Sequence, residues 1–287
     1  MAKKNSSTGK KVTKKAGAPP KGFEKYVEVA SDSAIEPISK YSVSPVEAFL
    51  NSVCEAHYAA EYCKSRFEKN AGGEFNVPAQ RNLNTILLSL VPGIMGQFET
   101  FQKSLFAKSI EYSIFLKDFD AQAFIERLKK IQGIQLDPLR ITAYRGQPAQ
   151  VGMILADSLH LWHSPFQVSE AFRSITNGAH FYTSAQIEQI SLLWQVRHSI
   201  VHTGSTLTLP DAEKHHLLRP FAGKSFVFKA NFIGVLAQKM HSFLKESVGR
   251  FSRDYKNDLI ENLDKKVASE INTLFLVTSK MKGTWLQ

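Results

Sequence analysis

Apolar positions recur at helical spacing along most of the chain. After Pro78, Ile86, Leu87, Leu90, Ile94 and Phe98, then Phe101, Leu105 and Phe106, return at intervals of three and four residues. That pattern places one apolar stripe on a long helix, with Pro92-Gly93 as its expected kink. Ahead of it, Ser44-Pro45-Val46-Glu47 reads as a helix N-cap, with proline in the first turn and glutamate three residues after the serine. A helix is expected from there to Lys69, stopped by Asn70-Ala71-Gly72-Gly73, and another over Asp120 to Ile131.

From Gln132 to Pro165 the periodicity weakens. Gly133, Pro138, Gly146 and Pro148 punctuate the segment, which reads as an inserted irregular stretch (132–165) carrying one short helix within Val151 to Trp162. Helical spacing returns at Val168 to Ile175, breaks at Asn177-Gly178 and restarts behind a Thr183-Ser184 cap. Gly204 ends that helix. Residues 205–229 hold Pro210, Pro220, Gly223 and the alternating Phe226-Val227-Phe228, a loop with room for a small hairpin. Two closing helices are expected, Asn231 to Val248 and Tyr255 to Lys280. The expected fold is all-α, an antiparallel helical bundle with an inserted irregular segment and a small hairpin.

Charge divides the chain into two parts. Of the formal net charge of +10, seven lysines fall in residues 1–21, which contain no acid: Lys3, Lys4, Lys10, Lys11, Lys14, Lys15 and Lys21. The remainder carries only +3 and is close to neutral. Residues 1–40 therefore read as a basic, mostly disordered tail and 41–287 as the folded domain. The tail is suited to nonspecific RNA contact, to nuclear import or to solubility alone. Of the 287 residues, 43% are hydrophobic, enough for a buried core, yet the longest apolar runs stop far short of a membrane span. The lysine-rich start lacks the apolar core of a secretory signal. Cys54 and Cys63 lie nine apart, on opposite faces of a helix, and suit neither a local disulfide nor a metal clip. A soluble protein of the reducing cytoplasm is expected.

The most direct route to chemistry is Arg197-His198-Ser199-Ile200-Val201-His202, followed by Thr203-Gly204. Arginine holds phosphate in bidentate geometry and histidine exchanges a proton near neutral pH, the minimum needed to cut RNA. By angle, Ile190, Leu193, Trp194, Arg197 and Val201 share one side of the helix, and Ser191, Gln195, His198, Ser199 and His202 the other. Arg197 thus interrupts an apolar stripe, where an unpaired guanidinium is costly unless an acceptor or an anion meets it. On an ideal helix His202 lies about 140° round and roughly 7.5 Å further along. The two side chains meet only if the helix ends between them or if two copies pool their residues.

Other readings of the same residues exist. Arg197 with two surface histidines at a helix end can be purely structural. His198 and His202, four apart on one face, have the spacing of a zinc-binding pair, but the glutamate of H-E-x-x-H is missing. His160/His163 and His215-His216 are available as further donors but read as ordinary packing. Arg173 to His180 is a looser decoy that spans the Asn177-Gly178 break. Phe98, Phe101 and Phe106 read as core, not as base-stacking platforms. There is no glycine-rich phosphate loop, serine-nucleophile elbow or carboxylate-rich metal motif.

The string Arg197-His198-Ser199-Ile200-Val201-His202 resembles the R-x4–6-H motif of the HEPN superfamily, including the polar residue that often follows the arginine. The resemblance is local to residues 183–204, with helix order as weaker support over 41–250; the insertion and basic tail are departures. It implies a metal-independent endoribonuclease without cofactor, of toxin, antiviral or RNA-processing type, that dimerises to bring two motifs into one cleft. A neutralising partner protein is also implied. Arg197 would stabilise charge on the phosphoryl oxygens, His202 would act as general base or acid, and His198 would orient the pair or contact RNA. Some members are catalytically silent, so a non-catalytic helical dimer that binds RNA or a protein is the alternative.

Overall fold

The computed structural model of the protein describes residues 38–134, 138–143, 151–176 and 178–279. The seven tail lysines, and Lys280 at the expected end of the last helix, lie outside them. The described residues form an all-α fold of eleven α-helices. A short α1 (Ile38–Tyr41) leads into α2 (Pro45–Arg66), and the long α3 (Val77–Glu111) follows. Next come α4 (Ala121–Ile131), α5 (Pro138–Ala143), α6 (Val151–Ser158), α7 (Pro165–Thr176), α8 (Ser184–His202), α9 (Leu209–Glu213), α10 (Phe232–Asn257) and α11 (Lys265–Leu274).

Local chemistry accounts for most of these boundaries. Asn76 caps α3 by accepting from the Ala79 amide, and Asp120 caps α4 by accepting from the Ala123 amide. The expected cap at Ser44 differs: its side chain makes no cap hydrogen bond, and Pro45 in the first turn marks the start of α2. Helix α3 runs through Pro92 without ending, and its buried stripe is Leu83, Leu87, Val91, Ile94, Phe98, Phe101 and Leu105. Around it lies an aromatic core. Phe106 meets Trp162 and Phe172 edge-on at 5.6 and 5.7 Å, and Phe172 stacks on Phe181 at 4.2 Å. Buried hydroxyls find partners there, Tyr182 with Gln102 and Tyr255 with the Ser109 carbonyl.

The short helix expected within 151–162 is present, and two other expectations are corrected. That helix is α6, which lies on α3, and Leu155, Ala156, Leu159, Leu161 and Trp162 of this stretch are buried in the main core. Gly152 permits this approach, because a Cβ there would stand 2.1 Å from the Ala107 carbonyl oxygen. The closing helices are also repartitioned. Buried Leu244, Val248, Phe251 and Tyr255 continue one stripe, so α10 extends to Asn257, and α11 starts only after the Asp264 cap.

The second correction concerns the hairpin, which is reduced to a single bridge between Thr206 and Ser225, with no strand among the described residues. The chain between the bridged residues is taken up by α9 and by a 3-10 turn, His216–Phe221, so the ladder cannot lengthen. Phe226-Val227-Phe228 alternates as expected, but its partner is a side chain. Asn84 of α3 accepts from the Phe228 amide at 2.9 Å and donates to the Phe226 carbonyl at 3.3 Å. Residues 203–226 instead fold over one side of α8, where Leu207, Ala212 and Leu218 form a small second core with Leu192.

Candidate functional site

Helix α8 is fixed at both ends. Thr183 and Gln186 make a reciprocal capping box at its start, and Arg250 of α10 donates to Gln186 Oε1 at 2.6 Å. At its end Gly204 adopts φ +60°, followed by Ser205 at +67°, which turns the chain back along the helix. The Ser199 carbonyl accepts from the amides of Thr203 and Ser205 and from the Thr203 hydroxyl. Gly204 therefore stops the helix as expected, and the helix runs through both Arg197 and His202.

The returning segment changes which faces of α8 are covered. Ile190 and Trp194 are buried and Leu193 is half-buried, as the angular count predicts. Val201, expected on the apolar side, is 46% exposed, whereas Ser199, expected on the polar side, is fully buried. Burial on two sides explains the exchange: the main core takes one face and the 203–226 segment covers part of the other.

Arg197 lies half-buried at the wall of an open cleft of about 360 Å³. Trp194, Gln195, Arg197 and His198 supply the α8 wall, Lys214 and His215 come from the covering segment, and His163 comes from the turn before α7. No described group forms a hydrogen bond or ion pair with the Arg197 guanidinium. Two further donors of α8, Trp194 Nε1 and Gln195 Nε2, are buried without a partner among the described residues. The decoy pair contrasts with this, since Arg173 and His180 both pair with Glu170, at 3.6 and 2.9 Å. An unpaired guanidinium on the wall of an open cleft is an arrangement that an anion completes.

Of the predicted site residues, Arg197 and His198 line the cleft and His202 does not. His202 adjoins it through His198, their rings 4.7 Å apart. Both histidines are exposed. Among the described residues no group of three or more His, Cys, Asp or Glu side chains is placed to hold a metal ion, and no helix is long and apolar enough to cross a membrane.

Asp211, Lys214 and Glu99, beside the cleft, escape a local reading of the sequence, and His163 is legible there only as ordinary packing or a spare metal donor. Asp211, at the start of α9, accepts from Lys214 at 2.7 Å and from the Thr208 hydroxyl at 2.8 Å. Lys214 above all, then Thr208, holds the Asp211 carboxyl below the usual range against the effect of burial, and the charge of His198 adds a smaller contribution. Lys214 is thereby fixed at the cleft by Asp211. His163, also in the cleft lining, has its Nε2 2.8 Å from Glu99 of α3, which also pairs with Lys103 at 2.7 Å. The His163 ring packs on Trp194 at 4.2 Å. Only the Glu99/Lys103 and Asp211/Lys214 spacings leave a trace in the sequence, as ordinary intrahelical or turn pairs.

The His163 hydrogen bond, with Lys103 assisting and burial opposing, lowers the Glu99 carboxyl to about 2. A depressed folded-state value adds stability that is complete above the ordinary value of 4.5 and is lost as pH falls through about 2. Because His163 is more than half exposed, the effect reduces to about 1 kcal/mol. Glu99→Gln should therefore cost about that much at pH 7 and flatten acid denaturation between pH 4.5 and 2, as read from urea midpoints across that range. A parallel pH dependence in wild type and variant would refute it.

No family model matches the chain, and no curated protein or solved structure matches it.

Proposed function

We propose that the protein is a metal-independent endoribonuclease whose RNA phosphate occupies the cleft beside α8. The observation that carries this reading is Arg197, a half-buried guanidinium on the cleft wall with no partner among the described residues. In that reading Arg197 stabilises the charge that develops on the non-bridging oxygens, and the 2′-hydroxyl is the nucleophile. His202, at the C-terminal end of α8, exchanges a proton with the reacting oxygens. In this role it donates the proton that the leaving 5′-oxygen takes up. His198 lies between His202 and the cleft and contacts the RNA.

A homodimer fits the same surface. Val201, between Arg197 and His202, is exposed together with Leu209, Leu217 and Phe221 of the covering segment. A two-fold interface at these residues would bring two Arg197/His202 pairs together. A toxin or antiviral role in a reducing cytoplasm, with a neutralising partner protein, follows from the HEPN resemblance. The seven tail lysines would add nonspecific, salt-sensitive RNA affinity.

The test uses labelled single-stranded RNA and the matching DNA in excess chelator. RNA should be cut and DNA left intact, because DNA lacks the internal nucleophile. Equal cleavage of both would exclude 2′-hydroxyl attack, and RNA binding without cleavage would select the non-catalytic alternative.

A further inference from the structure

Internal attack by a 2′-hydroxyl needs two proton transfers, one at the attacking oxygen and one at the departing 5′-oxygen, at opposite ends of an in-line path. Helix α8 supplies histidines at one end only, since His198 and His202 are adjacent. The cleft lining also contains His163, which is neither on α8 nor near it in sequence.

His163 is held on three sides. Its backbone belongs to a turn anchored by buried Leu161 and Trp162, closed by the Ser164 amide donating to the Leu161 carbonyl at 2.8 Å. Its ring lies on Trp194, the α8 residue one turn before His198. Its Nε2 faces Glu99 at 2.8 Å. An ionised carboxylate only accepts, so Nε2 carries a hydrogen, and in the neutral ring Nδ1 is left with a lone pair. Other described histidines with a carboxylate partner do not line the cleft: His180 pairs with Glu170, and His216 lies 3.3 Å from Glu188. His215 does line it, but its Nε2 meets the Glu188 backbone carbonyl.

We propose that His163 is the general base of this cleft, with Glu99 as its positioning residue. The proposal rests on the ribonuclease reading above. Nδ1 of His163 takes the 2′-hydroxyl proton as the 2′-oxygen bonds to phosphorus. The bond from phosphorus to the 5′-oxygen breaks, and that oxygen leaves with the electron pair and receives a proton from the α8 histidine. The products are a 2′,3′-cyclic phosphate and a free 5′-hydroxyl, and exchange with solvent resets both histidines. No oxidant, metal or cofactor enters the balance.

The experiment measures kcat and KM of the full-length chain on single-stranded RNA in excess chelator for wild type, His163→Ala, Glu99→Gln and Arg197→Ala, with and without added imidazole. Loss of a base should lower kcat by about 10²- to 10⁴-fold in His163→Ala with KM little changed, and imidazole should restore part of that loss. Glu99→Gln should show an intermediate fall in kcat, about tenfold, that imidazole does not repair. The His163 side chain is 55% exposed, so the variant should keep the wild-type circular dichroism and, with the Glu99 hydrogen bond lost, melt only about 2–4 °C lower. Unchanged kcat in His163→Ala beside an inactive Arg197→Ala would overturn the base assignment and leave the ribonuclease reading intact. So would a defect confined to KM, or a folded variant that imidazole does not rescue. An inactive wild type would remove both.

Discussion

Arg197→Ala should lower RNA cleavage by about 10²- to 10³-fold while the protein stays folded, the loss expected when a preorganised donor is removed from developing oxyanion charge. Folding should survive because the guanidinium is half-buried and has no partner to orphan among the described residues, so alanine removes an unpaired cation and little packing. The defect should appear in kcat and kcat/KM together, since the charge met by Arg197 is greatest in the transition state. His202→Ala should lose about 10²-fold or more through proton transfer. Single-turnover cleavage of labelled RNA measures both. Mixing the two inactive variants tests the dimer: partial recovery indicates a composite site shared between copies, whereas no recovery from proteins that light scattering shows to be dimeric indicates that each cleft works alone. Full activity in Arg197→Ala would contradict the account.

Gly152→Ala should destabilise the domain by about 3 kcal/mol, at the upper end of ordinary overpacking, and lower Tm by roughly 5–10 °C. The added Cβ would stand 2.1 Å from the Ala107 carbonyl oxygen, 2.8 Å from its carbon and 3.0 Å from its Cα, all rigid backbone of α3. Relief requires α6 to withdraw, which would expose Leu155 and Ala156 and pull the Gly152 amide from Glu111, to which it donates at 2.6 Å. The turn that carries His163 follows α6 directly, so the same displacement should reduce RNA cleavage. Gly96→Ala is the control. It lies within α3 with nothing within 4 Å of the new Cβ, and should be neutral or stabilising by about 0.5–1 kcal/mol. Equal melting temperatures for the two variants would contradict the close α3–α6 contact.

The legible parts of this structure are those governed by near neighbours in the chain. The α3 stripe, the Thr183 cap of α8 and the Gly204 stop follow from spacing and from backbone preference, and the structure contains each of them. Failures occur where distant segments decide burial. Ser199 and Val201 exchange their expected environments because residues 203–226 return over α8, which no angular count along one helix contains. Phe226-Val227-Phe228 has strand-like alternation, yet its hydrogen bonds go to Asn84, more than a hundred residues earlier. The cleft is half legible for the same reason. Arg197 and His198 lie together in one helix, whereas Glu99 and His163 are 64 residues apart and meet only through packing of α3 against the turn before α7.

The central claim is that RNA is cut at this cleft by its own 2′-hydroxyl without metal. The most direct measurement is the chemistry of the ends left on a defined RNA after digestion in excess chelator, resolved by mass spectrometry. The account predicts 2′,3′-cyclic phosphate and 5′-hydroxyl ends, absent from Arg197→Ala digests. Ends bearing 5′-phosphate, or cleavage that appears only when divalent metal is restored, would contradict it.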